Sequence, residues 1–190
     1  FCLTCFVLVF SIGQNTLFIP PTVTGSTVNL SIDEGTKQFY AGFTTNTIGY
    51  NGNFLGPTVL LDKWQPITFN VTNLLATETT THWHGLHVAP EDDGSPHNPI
   101  APGATWSPSF DLLNDASTYW YHPHLHETTN DQVVKGASGL IIVKDSNELS
   151  KPLPRTYGID DFPLIVQLKP MDANKQFQPM SPENMVMVNG

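Results

Sequence analysis

Cysteine is almost absent from this sequence. Its two cysteines, Cys2 and Cys5, both lie within the first 13 residues. The rest of the chain therefore offers neither a disulfide bond nor a thiolate ligand. A metal ion bound there would have to be held by nitrogen and oxygen atoms.

Basic residues are also few. Lys and Arg number 8 against 17 Asp and Glu, which leaves a net charge of −9. This balance argues against nucleic acid and against an anionic membrane surface, because both attract basic patches. With 39% hydrophobic residues, a chain of 190 residues can bury a core of ordinary size. We expect a soluble monomer that has no nucleic-acid partner and no membrane partner once mature.

No stretch keeps the 3.6-residue apolar period of an amphipathic helix over three turns. Short segments rich in Val, Ile, Thr and aromatic residues occur instead, separated by turns that draw on 14 Gly and 16 Pro. These segments are 27–32, 66–72, 105–110, 117–122 and 138–143. The pattern predicts an all-β fold of antiparallel type, either a sandwich or a barrel.

The first segment, FCLTCFVLVFSIG (1–13), carries no charge and is almost wholly apolar. It has the length of a signal-peptide core and is too short to span a bilayer. Ser11 and Gly13 occupy the −3 and −1 positions of a cleavage site before Gln14. We expect residues 1–13 to be part of a signal peptide that directs the protein to the periplasm or out of the cell. A buried strand is the alternative interpretation.

Residues 14–145 would then form the first domain. Across 146–160 the sequence turns polar and contains prolines, which indicates a linker. Two further strand-like segments, 162–168 and 184–190, follow, but the roughly thirty residues of 161–190 cannot close a domain of their own. We expect them to begin a second domain. This segment also holds four methionines, for which core packing is the expected role: Met171, Met180, Met185 and Met187.

Histidine is concentrated in two places. Six of the seven histidines fall in TTTHWHGLH (79–87) and YWYHPHLHE (119–127). Random placement would give about 0.26 His-x-His pairs. The sequence has three such pairs, His82/His84, His122/His124 and His124/His126.

Strand geometry explains the alternation. Side chains two residues apart point to the same face of a strand, so His82 and His84 project together while Trp83 turns away. His122 and His124 can do the same at the end of a strand. Four neutral imidazoles that face one another suit copper, zinc, iron or nickel. A group of solvated or core histidines is the alternative, but two paired clusters on β elements favour a metal site.

We expect the remaining three histidines not to be ligands. His126 has left the strand, His87 is out of step with the first pair, and His97 lies in a loop rich in Pro, Asn and Gly. Loop histidines are commonly solvated.

Two families carry His-x-His on a strand. In cupins three or four residues separate the second histidine from a carboxylate, but Val88 and Ala89 occupy the corresponding positions here. The fit to cupins is therefore poor. HWHG (82–85), followed about forty residues later by YWYHPHLH (119–126), instead resembles the first two copper motifs of the multicopper oxidases, the superfamily of laccase and ascorbate oxidase. The bacterial periplasmic copper-efflux oxidases resemble it most, and the resemblance covers residues 27–190. Four further segments contribute to it, namely 50–59, 101–110, 136–143 and 158–167.

The resemblance implies a cupredoxin-like Greek-key β-sandwich, followed by the start of a second cupredoxin domain. It implies that His82 is a ligand of the type 2 copper, and that His84, His122 and His124 bind the type 3 copper pair. Together these ions form a trinuclear cluster that reduces dioxygen to water. The resemblance also places an acid after the first motif, which would make Asp93 a proton donor; a solvated turn aspartate is the alternative.

In the family, electrons from a small donor, such as Cu(I) or a phenol, enter at a type 1 copper that has a cysteine ligand. No cysteine follows Cys5. We therefore expect the type 1 site in a carboxyl-terminal part of a longer oxidase, and we expect residues 1–190 to be inactive alone. The alternative function is a non-enzymatic, cupredoxin-like envelope protein that binds copper or only keeps the fold. The family's known non-catalytic relatives lose the copper histidines, so the four histidines here favour the enzyme.

Overall fold

The structure, a computed structural model, describes residues 16–179 and 184–190. The expected signal peptide (1–13) with its two cysteines, the cleavage site and Met180 lie outside the described residues. Within the described ranges the chain forms twelve strands and two short helices. They are β1 Thr22–Thr24, β2 Thr27–Tyr40, β3 Phe43–Tyr50, β4 Thr58–Asp62, β5 Pro66–Asn73, β6 His82–His84, β7 Thr105–Trp106, β8 Ser109–Asp111, β9 Ser117–His122, α1 Thr129–Val134, β10 Gly139–Lys144, α2 Ser146–Leu149, β11 Val166–Pro170 and β12 Asn184–Val188.

Two five-stranded sheets pack face to face. One sheet has the order β1-β4-β10-β9-β6, so the HWH strand β6 lies at its edge. The other has the order β3-β2-β5-β7, with β8 also paired to β5. Buried residues of both sheets form one hydrophobic cluster between them. The all-β sandwich expected from the sequence is confirmed.

The antiparallel pairing expected from the sequence holds for most neighbouring strands but not for all of them. β1 pairs with β4, β4 with β10, and β2 with β5, each in parallel. Parallel neighbours must be joined by a long crossover connection. In each of these three pairs the two strands are distant in sequence, so the intervening chain provides that connection. Strand composition does not encode the direction of pairing, so the sequence pattern could not reveal it.

The segment 105–110 was expected to be one strand but forms two, β7 and β8, on either side of Ser107 and Pro108. Proline has no N–H to donate to a ladder, so the strand is interrupted there. Both halves nevertheless pair with β5. β2 continues eight residues past the expected end at 32, because its polar second half forms a hairpin with β3.

Alternate residues of the central strands point between the two sheets. In β5, Ile67, Phe69 and Val71 are buried, whereas the residues between them are half-buried. Successive side chains of a strand point to opposite faces, so this alternation gives one apolar face per sheet. Each large apolar side chain that is fully buried contributes about 1.5–3 kcal/mol to folding.

β11 and β12 form a separate two-stranded sheet. Met171, Phe177 and Met187 make a second cluster there, which packs against Phe39 and Phe54 of the first unit. The core-packing role expected for Met171 and Met187 is confirmed. Within the described residues, no helix is long and apolar enough to cross a membrane.

Candidate metal centre

The two histidine motifs meet on neighbouring strands. β6 and β9 are antiparallel, and their register places His82 opposite His122 and His84 opposite Trp120. Residues directly opposite in a ladder share one face of the sheet. The same register pairs Trp83 with Tyr121, and both of these side chains are fully buried in the sandwich. The histidines therefore lie on the face of the sheet opposite the core of the sandwich, where His122 is nevertheless buried.

Trp83 anchors β6 from the opposite face. Its ring stacks on Phe69 with a centroid distance of 4.0 Å, and its Nε1 donates a hydrogen bond to the main-chain oxygen of Asp92 at 3.0 Å. A buried indole needs such a polar partner. The core thus fixes the strand that carries His82 and His84.

The four predicted ligands come together in space. The ring of His82 lies 5.6 Å from those of His84 and His122, and 5.2 Å from that of His124. The His84 and His122 centroids are 5.5 Å apart, and those of His122 and His124 are 5.8 Å apart. Four imidazoles at such distances form a compact nitrogen-rich patch at the sheet edge.

Main-chain carbonyls fix two of these rings. His82 Nδ1 lies 2.9 Å from the carbonyl oxygen of Asp93, and His122 Nδ1 lies 2.7 Å from that of Pro123. A carbonyl oxygen only accepts hydrogen bonds, so each Nδ1 is the donor. In a neutral imidazole this leaves Nε2 unprotonated, with a lone pair that can bind a metal ion. Metal-binding histidines characteristically have this arrangement, because it orients the ring and sets the tautomer.

The distance between two ring nitrogens of the cluster shows whether both could bind the same metal ion. His84 Nδ1 and His122 Nε2 are 3.2 Å apart. Two nitrogens that bind one ion at about 2.0 Å lie about 3 Å from each other, so this separation suits shared coordination. Imidazole nitrogen is also a ligand that suits copper. Within residues 16–179 and 184–190, however, no three His, Cys, Asp or Glu side chains are arranged to hold a single ion together.

The surroundings keep His122 neutral. Burial lowers the pKa of His122 from 6.5 to about 4; the hydrogen bond to Pro123 opposes this shift, and the nearby imidazoles of His82, His84 and His124 add to it. A pKa this low leaves the ring unprotonated at neutral pH. Its Nε2 lone pair is then available to a metal ion without loss of a proton.

Asp93 lies beside His82. Its Oδ2 atom is 3.3 Å from His82 Nδ1, and its side chain is 27% exposed. The neighbouring Gly94 has φ +70°, and a Cβ there would overlap the main chain of Thr81. Only glycine permits this close approach of the loop to β6.

His87, His97 and His126 are exposed. In the described part of the chain, the ring contacts of the histidine cluster are made by His82, His84, His122 and His124. The structure therefore leaves them outside the cluster.

Two contacts of the cluster were missed by the sequence reasoning. Trp120 stacks on His122 with a centroid distance of 3.9 Å. Thr80 is fully buried, and its Oγ1 accepts a hydrogen bond from the main-chain N–H of His124 at 2.7 Å. The alternation Trp120-Tyr121-His122 could have indicated the first contact, since residues two apart share a face. The run of three threonines before HWH was the signal for the second.

Comparison with known proteins agrees with this fold. The sequence profile of the multicopper oxidase family matches residues 31–148. The chain is 37% identical to the multicopper oxidase mco of Staphylococcus epidermidis over 170 residues, which cover 86% of this chain and 38% of that protein. It is 31% identical to the cell division protein FtsP of Photorhabdus laumondii over 186 residues, which cover 93% of this chain and 39% of that protein.

Solved structures give the same picture. The laccase-like multi-copper oxidase CueO of Ochrobactrum sp., which has oxidase activity towards lignin model compounds and lignosulfonate, superposes with a TM-score of 0.83 and 34% sequence identity. The alignment covers 92% of this chain and 42% of that one. The fold is therefore a cupredoxin-like sandwich, as the resemblance implied. The chain belongs to the multicopper oxidase family, whose cofactor is copper, and it spans about two fifths of the length of these relatives.

Proposed function

We propose that this chain contributes four histidine ligands to the copper cluster of an oxidase that reduces dioxygen to water. The observation that supports it most strongly is the convergence of the four imidazoles, with His84 Nδ1 and His122 Nε2 at 3.2 Å. The carbonyl hydrogen bonds at His82 and His122 leave Nε2 of each ring unprotonated, with a lone pair that can bind a metal ion. Sites of this composition suit copper.

The four histidines would be shared among more than one ion. His82 would bind the type 2 copper, and His84, His122 and His124 the type 3 pair. Because the four histidines would be divided among several copper ions, no three described side chains need to hold the same ion. The further ligands, and the type 1 copper with its cysteine, would come from a part of the protein outside this sequence. The span of about two fifths of the relatives' length supports this.

The bound copper would supply the electron transfer, in which small donors such as Cu(I) or phenols each lose one electron and one dioxygen takes up four electrons and four protons to give two waters. The chain's own groups prepare the site for this chemistry. His122 is held neutral by burial, and Asp93 offers a partly exposed carboxyl group 3.3 Å from His82 Nδ1. Asp93 would pass protons inward from the bulk through its Oδ2 atom.

The test is the copper content of the full-length protein. Replacement of His82, His84, His122 or His124 by Ala should lower the copper-to-protein ratio and reduce oxygen consumption with a phenolic donor to background. His97→Ala, in an exposed loop, is the matched control and should leave both values unchanged. Full copper content in all four variants would refute the ligand assignment.

A second candidate is a non-enzymatic, cupredoxin-like envelope protein. It is favoured by the 31% identity to FtsP, a relative that is named as a cell division protein and not as an oxidase. This alternative requires that the purified full-length protein consume no oxygen with Cu(I) or phenolic donors. The oxidase requires donor-dependent oxygen consumption and bound copper. The retained histidine cluster supports the oxidase.

We also propose that residues 14–145 form the first domain, that 146–160 form the linker, and that 161–190 begin a second cupredoxin-like domain. The support is that β11 and β12 form their own sheet with their own apolar cluster. Limited proteolysis of the full-length protein should cut first within 146–160. A first cut inside 14–145 would contradict these boundaries.

Export to the periplasm or out of the cell is proposed from the apolar segment 1–13 and from the absence of cysteine in the remainder. The mature protein should begin at or near Gln14 when its amino terminus is sequenced. A soluble cytoplasmic protein that retains residues 1–13 would contradict export.

A further inference from the structure

Three consecutive threonines precede the first histidine motif, and Thr79, Thr80 and Thr81 are each 0% exposed. A buried hydroxyl group needs a hydrogen-bond partner. The Thr79 hydroxyl donates to Gln132 Oε1 at 2.7 Å, and that of Thr81 bonds the Tyr50 hydroxyl at 2.9 Å. Through these hydrogen bonds Thr79 and Thr81 hold the segment against α1 and β3.

Thr80 has a different partner. Its Oγ1 accepts the main-chain N–H of His124 at 2.7 Å. The ladder of β6 and β9 ends at the pair His82 and His122, and two residues further in the same register Thr80 stands opposite His124. β9 ends at His122, so Pro123 and His124 lie beyond the ladder. There the main-chain N–H of His124 is bonded by the Thr80 side chain.

This contact matters because of the four clustered histidines only His124 lies beyond the end of a strand. Strand pairing fixes the main chain of His82, His84 and His122, whereas the segment after Pro123 has left the sheet. We propose that Thr80 is a positioning residue that holds the main chain of His124 and thereby sets its imidazole against His82. The inference rests on the proposed function, in which His124 binds copper.

The experiment compares three variants of the full-length protein. Thr80→Val keeps the branched shape and removes the hydroxyl, whereas Thr80→Ser keeps the hydroxyl. Thr72→Val is the control, because the Thr72 hydroxyl also makes a hydrogen bond, to Thr105, but on the other sheet. Near-ultraviolet circular dichroism establishes that each variant is folded.

The first readout is amide hydrogen exchange of His124 in the copper-free protein. Thr80→Val should speed this exchange about fivefold, the factor that corresponds to one ordinary hydrogen bond, and Thr80→Ser should restore it. The second readout is the affinity for Cu²⁺ in competition with a chelator. Loss of a group that orients a ligand costs about 10–100-fold in metal affinity, so Thr80→Val should weaken binding by that factor.

Two results would overturn the proposal. One is that Thr80→Val matches Thr72→Val in both readouts, and the other is that Thr80→Ser is as impaired as Thr80→Val, since the effect would then come from packing. A wild-type protein that binds no Cu²⁺ would refute the proposed function instead. In that case the exchange rate of the His124 amide alone decides whether Thr80 holds this segment.

Discussion

His82 and His122 lie directly opposite each other in the ladder of β6 and β9, and their ring centroids are 5.6 Å apart. This register determines the whole site, because it also sets which neighbours share the histidines' face. A slip by one residue would turn His122 into the core and bring Tyr121 out. The buried pair of Trp83 and Tyr121 on the other face makes such a slip costly.

The first prediction concerns the spectrum of residues 14–190 loaded with copper. Coordination by imidazole alone provides no thiolate-to-copper charge transfer, so the sample should lack the intense blue absorption of a type 1 site. It should bind Cu²⁺ weakly through the clustered histidines and show no sustained oxygen uptake with a phenolic donor. Optical and paramagnetic resonance spectra with an oxygen electrode measure these properties. An intense blue band would show that our account of the type 1 site is wrong.

Asp93→Asn tests proton supply. In the full-length enzyme this change should lower oxygen turnover by about 10²-fold or more, because general acid catalysis is lost. Copper content should be unchanged, since the main-chain carbonyl of residue 93 still bonds His82 Nδ1. Glu91→Gln, an exposed acid in the same loop, is the control. Wild-type turnover in Asp93→Asn would remove this residue from the mechanism.

Phe69→Ala should be among the most damaging core substitutions. The ring is fully buried and stacks on Trp83 beneath the histidine strand, so its loss leaves a cavity and costs about 3–5 kcal/mol of unfolding free energy. Phe43→Ala, at a ring that is 41% exposed, should cost less than about 1 kcal/mol. Urea unfolding of the copper-free protein measures both values. Equal losses of unfolding free energy in the two variants would show that the stacking of Phe69 on Trp83 adds no stability beyond that of an exposed ring.

The depressed pKa of His122 predicts a pH effect on the copper-free protein. The folded state releases this proton at about pH 4 and the unfolded state at about 6.5, so between these values the unfolded chain binds more protons. Stability should therefore fall as the pH drops from about 6.5 to about 4, with a contribution of at most about 1.4 kcal/mol per pH unit from this group.

Unfolding measured at several pH values, for the wild type and for His122→Asn, isolates this contribution. The variant should show a shallower loss of stability in the same window, because it no longer carries the group. His97→Asn is the matched histidine control and should follow the wild type. Parallel curves for wild type and His122→Asn would contradict the burial that lowers the His122 pKa.

Much of the site was predictable from local sequence. The spacing of His82 and His84 around Trp83 determined which side chains share a face, because strand geometry alternates with a period of two. The apolar alternation along β5 follows the same geometry. These features depend only on residues within one strand, so they can be inferred without knowing what the strand pairs with.

The pairing itself was decided only by the tertiary structure. Two kinds of contact join segments that are distant in sequence. They are the parallel pairing of β2 with β5 and of β4 with β10, and the hydrogen bond between Thr80 and His124. They depend on how two sheets bury their apolar faces together, and no local pattern of residues records that packing. The sequence by itself determined that His82 and His84 would share one face of a strand, whereas the register of β6 against β9 decided that they would meet His122 and His124.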